Sequence, residues 1–167
     1  MLSFLGRIDR AIGAVLAPVI AAGMAALIAV ITLQIVSRVA FTAVGWTEEV
    51  ARFLLIGLTF LGAALAWQRH RHIAVGVLVD RLPDRAQRIA TALALVIAVA
   101  FLISLAWVGQ TYMTMQSFQK SAALRLPMSY VYAIVPVSAG LMAWLAATDL
   151  MRLLLTGARP AAGEPVE

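Results

Sequence analysis

Four charge-poor apolar runs follow one another along this chain, at about residues 14–36, 50–67, 89–108 and 128–150. An α-helix rises about 1.5 Å per residue, so a stretch near twenty residues matches a hydrocarbon core of about 30 Å. The second run is short when counted from Val50, and a helix begun at Trp46 restores its length. One such run could be the buried helix of a globule. Four in succession within 167 residues argue against that, because a small globule leaves much of its surface in water. The composition points the same way: 63% hydrophobic and 13% charged, against about 45–50% and about 25% in soluble domains. The expected fold is an all-α integral membrane protein with four transmembrane helices, at about 14–36, 46–67, 89–108 and 128–150. They form a single membrane domain over 1–155, followed by a disordered cytoplasmic tail over 156–167.

Arg7 and Arg10 precede the first run as they would in a signal peptide. The run is too long for the roughly 7–15 residues of a signal core, and it reads as a retained span. Orientation follows from the flanking cations. With the N-terminus inside, Arg7, Arg10, Arg69, Arg71, Arg81, Arg85, Arg88, Arg152 and Arg159 are cytoplasmic, and Arg38, Arg52, Lys120 and Arg125 are outside. Nine against four places both termini in the cytoplasm. The same distribution explains the net charge of +5 better than nucleic-acid binding does, since no basic stripe with interleaved aromatics occurs. With no cysteine, disulfides and thiolate chemistry are excluded.

Small residues recur every four positions: Gly13, Ala17, Ala21, Ala25 and Ala29 in the first span, Ala90, Ala94 and Ala98 in the third, Ala139, Ala143 and Ala147 in the fourth. Such ladders let helix backbones approach closely in lipid. Between spans two and three, Ile73, Val75, Val77, Leu78, Val79 and Leu82 are too few to cross, and flanking arginines suggest a segment lying along the inner interface up to Pro83. His70 and His72 in this loop are two apart, about 200° around a helix, so one helix cannot aim both at one ion; no metal site is expected. On the opposite face, Trp107, Tyr112, Tyr130 and Tyr132 suit the headgroup belt. Leu126, preceding Pro127, should be extended. Pro136 falls inside the fourth span, where it removes a backbone hydrogen bond and should bend the helix.

The entrance to the second span carries Glu48, Glu49 and Arg52. Glu48 is four residues before the arginine and Glu49 three, so either acid can pair with it. Acids at a helix start complement the dipole, and Thr47 or Gly45 could cap it. The cluster reads equally as a capped, interface-anchored helix start and as a surface that orients a second membrane subunit.

The order Trp46-Thr47-Glu48-Glu49-Val50-Ala51-Arg52, Phe60-Leu61-Gly62-Ala63-Ala64, His72-Ile73, Asp80-Arg81-Leu82-Pro83, Arg125-Leu126-Pro127, Tyr132 and Val135-Pro136 resembles the small membrane subunit of TRAP transporters, the tripartite ATP-independent periplasmic family. The resemblance runs from about residue 14 to 150. It implies a multi-pass protein of the bacterial inner membrane with no cofactor, working with a periplasmic substrate-binding protein and a large membrane subunit that carries the substrate and ion sites. At 167 residues the chain has no room for that large subunit, which implies a separate partner. The small subunit would brace the large one and help dock the binding protein during ion-gradient-driven uptake of an organic acid. Trp46, Glu48, Glu49, Arg52, His72 and Asp80 match the resembled motifs, and with Arg125, Pro127 and Pro136 they are the interface or structural candidates.

The residues themselves agree on one point. A transporter of charged solutes usually keeps ionisable groups or broken helices near the bilayer midplane. This sequence shows no charge in the middle of a span and no embedded acid, and Thr59, Ser104 and Ser138 read as ordinary helix hydroxyls. That disfavours a stand-alone four-helix exporter of the small multidrug type. An enzyme or a haem-bearing anchor of a membrane oxidoreductase is disfavoured too, because both histidines lie in one loop. Neither the solute nor the coupling ion is legible.

Overall fold

In lipid every backbone polar group must be satisfied within the chain, and long Ala- and Leu-rich runs meet that demand as helices. The computed structural model describes residues 2–40, 45–69 and 83–156. It comprises α1 (Leu2–Ala40), α2 (Gly45–Gln68), α3 (Asp84–Met115), a 3-10 turn (Gln116–Phe118), the short α4 (Met128–Tyr132) and α5 (Ile134–Thr156). α1, α2, α3 and the α4–α5 unit are each long and apolar enough to cross a bilayer. His72, Asp80, the expected interfacial segment and the expected tail beyond Thr156 lie outside the described residues.

The helices outrun the apolar runs. α1 has 39 residues and α3 has 32, lengths of about 58 and 48 Å against a core of about 30 Å. Hydroxyls inside the spans bond to carbonyls of their own helix: Thr59 Oγ1 donates to Leu55 O at 2.8 Å and Ser104 Oγ to Ala100 O at 2.9 Å. Ser138 departs from the ordinary hydroxyl expected of it. It is fully buried and its Oγ has no hydrogen-bond partner among the described residues.

The spans pack in the lateral order α1–α2–α5–α3, with α1 also meeting α5 near one end. α5 is accordingly the most enclosed. Leu16 of α1, Ala64 of α2, Leu102 of α3, and Met142 and Ala146 of α5 form the core, edged by Ile12, Ile20, Leu61, Trp67 and Val99. Ala64, Ala139 and Ala146 are wholly buried, so close backbone approach does set the α5 contacts.

The ladder in α1 behaves differently. From Ile20 onward the shielded residues are Ile20, Gly23, Leu27, Val30, Gln34 and Ser37, a spacing that alternates three and four. That is the repeat of a left-handed helix crossing. A strict four-residue ladder instead precesses about 40° per step. Gly13 and Ala17 therefore touch the bundle, whereas Ala21, Ala25 and Ala29 rotate off it and are exposed.

Near Pro136 the helix is interrupted at Ala133, between α4 and α5. Pro136 thus stands in the first turn of α5, where an absent N–H costs little. Bonds from Ala133 N–H to Ser129 O at 2.9 Å and from Val137 N–H to Ala133 O at 3.2 Å carry the chain across the break. Gly109 of α3 faces this point, and a Cβ there would lie 3.2 Å from both Pro136 Cδ and Val135 Cγ1. The proline ring cannot rotate away. Gly109→Ala should therefore cost about 1–2 kcal/mol by overpacking, read as a lowered thermal midpoint in mild detergent.

Candidate functional site: two polar ends of an apolar bundle

At the end of the bundle away from the termini, the first turns of α2 hold four of the candidates. Trp46 is 42% exposed, while Thr47 is wholly buried. α2 begins at Gly45, so Thr47 lies inside the first turn rather than before it. Glu48 and Arg52 pair at 3.6 Å with both side chains about two-thirds exposed. Glu49 takes a different partner. Its Oε1 accepts from the Ala123 amide at 2.9 Å and its Oε2 from the Leu124 amide at 3.1 Å. Consecutive backbone amides turned to one carboxylate form a small anion-binding concavity.

The loop that presents those amides is internally braced. Met128 N–H donates to Gln119 O, and Ser121 N–H to Leu126 O, each at 2.8 Å. Lys120 pairs with Pro127 in an antiparallel bridge. Leu126 N–H donates to Ser121 Oγ at 3.3 Å. Arg125 turns the loop with φ of +54°, a left-handed conformation that strains a side chain. Arg125→Gly should raise stability by about 1 kcal/mol by removing that strain, measured as a higher thermal midpoint. Pro127 precedes α4 with φ of −59°. Above the loop, Tyr112 and Tyr132 meet edge to face with centroids 4.9 Å apart. Trp107 and Tyr130 are largely exposed, as belt residues would be. The structure thus joins Glu49 to the loop of Arg125 and Pro127, two motifs that are far apart in sequence. Pro136 stands apart from that junction, in α5.

The opposite end holds a cluster that the sequence reading missed. Asp9 of α1 is 9% exposed, and its Oδ2 meets Arg152 Nη2 of α5 at 2.5 Å. Its backbone carbonyl accepts from Gln68 Nε2, at the end of α2, at 2.8 Å. Gly13 makes room for that amide, with which a Cβ would collide. Asp149 of α5, 5% exposed, lines the same cleft of about 280 Å³, together with Gly6, Arg10 and Leu145. The expectation that no acid lies within a span therefore fails at Asp149. It sits in the last turns of α5, where a neighbouring guanidinium and the bundle's polar end make a carboxylate tolerable. A signal was available: Asp149 is the one acid inside the fourth apolar run.

Among the described residues no group of three or more His, Asp or Glu assembles as a metal site. Both polar clusters tie helices and loops together at the bundle ends, and what fold and site define is a multi-pass helical membrane protein. The comparison with known families is decisive on which one. Residues 27–156 match the family of tripartite ATP-independent periplasmic transporters, DctQ component, and the chain belongs to that family of the bacterial inner membrane. It is 35% identical over 142 residues to an isethionate TRAP transporter permease protein, DctMQ, of Oleidesulfovibrio alaskensis. That match covers 80% of this chain and 22% of the longer protein, so the chain spans about a fifth of that relative. It is also 32% identical over 137 residues, 79% of each chain, to the sialic acid TRAP transporter small permease protein SiaQ of Vibrio cholerae.

Proposed function

We propose that this chain is the small, non-translocating subunit of a TRAP transporter, bracing a larger membrane subunit and helping to dock a periplasmic binding protein. The observation that carries the reading is where the charges lie. Every charged residue described in the four helices sits toward a bundle end, and each span between those ends is apolar. An anion and its coupling ion would find no ionisable foothold at mid-membrane here. The bracing role is supported by surface left over from the bundle: Ala21, Ala25 and Ala29 on α1 present a small-residue face that another helix can approach closely. The isethionate relative contains four-fifths of sequence to which this chain does not align, in keeping with a large companion. The names of the relatives include isethionate and sialic acid, both organic acids, which favours an organic anion as the solute. The cation distribution orients the chain with both termini in the cytoplasm, so the Glu49-held loop faces the periplasm.

Extraction of the tagged chain from its native host in mild detergent should bring down a large multi-span protein, and its absence would overturn the assignment. Solute flux by this chain alone in liposomes with an ion gradient would do the same. The docking role of the α2 entrance has a narrower test. The exposed Glu48–Arg52 pair contributes at most about 0.5 kcal/mol to the fold. Arg52→Ala should therefore leave the thermal midpoint unchanged and yet lower partner recovery well below that of Arg159→Ala. Equal recovery would remove the role.

A further inference from the structure

The cleft at the terminal end contains a mismatch that the bundle does not resolve. Asp9 Oδ2 is held by Arg152, but Asp9 Oδ1 is buried and has no hydrogen-bond partner among the described residues. A buried carboxylate oxygen without a donor is costly, and since no described residue supplies one, the cleft suits a ligand that brings its own N–H. The cleft that Asp9 lines has a volume of about 280 Å³, far more than one bridging water needs. Its walls carry both signs of charge: Asp9 and Asp149 on one hand, Arg10 and Arg152 on the other. Arg10 donates its Nε–H to Gly6 O at 3.2 Å, which anchors the guanidinium at the cleft.

The depth of the cleft identifies the occupant. Asp9 lies five residues before the first apolar run, Gln68 ends α2, and Arg152 follows the last run by two residues. All three therefore sit where a span meets its headgroup layer. We propose that this cleft binds the headgroup of an aminophospholipid, with its primary ammonium on Asp9 and its phosphate on Arg10 and Arg152. The ammonium supplies the N–H that Asp9 Oδ1 lacks, and the phosphate accepts from guanidinium N–H groups. A zwitterion also leaves the balance of charge in the cleft unchanged. Phosphatidylglycerol has the phosphate without the ammonium. Phosphatidylcholine has a cation without an N–H. The hydroxyls of phosphatidylglycerol can donate to Asp9 but bring no positive charge to it, and phosphatidylcholine cannot donate at all.

The test is lipid retention by the full chain, taken from nanodiscs of equal parts phosphatidylethanolamine, phosphatidylcholine and phosphatidylglycerol and read by native mass spectrometry. Phosphatidylethanolamine should be retained about tenfold over either competitor, the ratio that one charge-assisted hydrogen bond supplies. Equal retention of all three overturns the proposal. Asp9→Asn should abolish the preference. Because Asp9 also holds Arg152, that variant could fail to fold, and the exposed Arg10→Gln is the second arm. It should lower phosphatidylethanolamine retention several-fold, and unchanged retention would overturn the phosphate assignment. Free ethanolamine at millimolar concentration should not displace the lipid; full displacement would mean that the cleft takes soluble amines. Protein extracted from native membranes should carry the same lipid. If it lacks phosphatidylethanolamine, the lipid assignment falls.

Discussion

Arg152→Ala should destabilise the chain by about 2–3 kcal/mol in mild detergent. Breaking a buried ion pair from one side costs about 3–5 kcal/mol, because the remaining charge is left without compensation. Arg152 keeps about a third of its side-chain surface exposed while Asp9 keeps little, which moves the expected cost below that range. The loss falls on one of the few places where α1 meets α5, so it loosens the edge helix from the centre of the bundle. The double variant Asp9→Asn with Arg152→Ala should recover a large part of the loss, since a neutral amide needs no counter-charge. Arg152→Lys should lie between wild type and Arg152→Ala, because an ammonium keeps the attraction without the guanidinium's planar geometry. Unfolding midpoints of the four proteins decide it. If Arg152→Ala matches wild type, the pair does not hold α1 in place.

That pair also marks the boundary of what the residues show without coordinates. The four spans are legible because lipid imposes length and apolarity on each one separately, and both are read locally. Asp9 and Arg152 stand 143 residues apart, and neither position carries a periodic signal that would link them. Glu49 illustrates a different limit. Spacing places Glu48 and Glu49 equally within reach of Arg52, and nothing local separates them. The difference is made by a loop 74 residues downstream whose amides claim Glu49 and leave Glu48 to the arginine. The α1 ladder shows which of its residues the bundle uses only in three dimensions: four-residue spacing drifts about 40° per step, so Gly13 and Ala17 meet the bundle while Ala21, Ala25 and Ala29 face away from it. Lateral order followed the same pattern. The chain runs α1, α2, α3, α5, yet α5 inserts between α2 and α3, packing a face on which Ala139 and Ala146, seven residues apart, are wholly buried.

The loop linkage leads to the second large effect. Glu49→Gln should release the segment from Ala122 to Arg125 while leaving the spans intact. A carboxylate offers two acceptor oxygens, one to each amide, whereas glutamine offers a single acceptor and sets an NH2 group against the other N–H. One amide at least loses its partner, and the left-handed turn at Arg125 loses its external support. Hydrogen exchange should then show the Ala123 and Leu124 amides exchanging much faster. The Ser121 amide, bonded to Leu126 O within the loop itself, should change less. Arg52→Ala, which alters a charge one turn away on the same helix, should leave all three amides as they are, because Arg52 engages Glu48 and not the loop. Should both variants accelerate exchange equally, the loop would be responding to the charge of the α2 entrance as a whole and not to the Glu49 contact. If only Glu49→Gln does so and also weakens recruitment of a binding protein, the contact is what shapes the outer face that the partner meets.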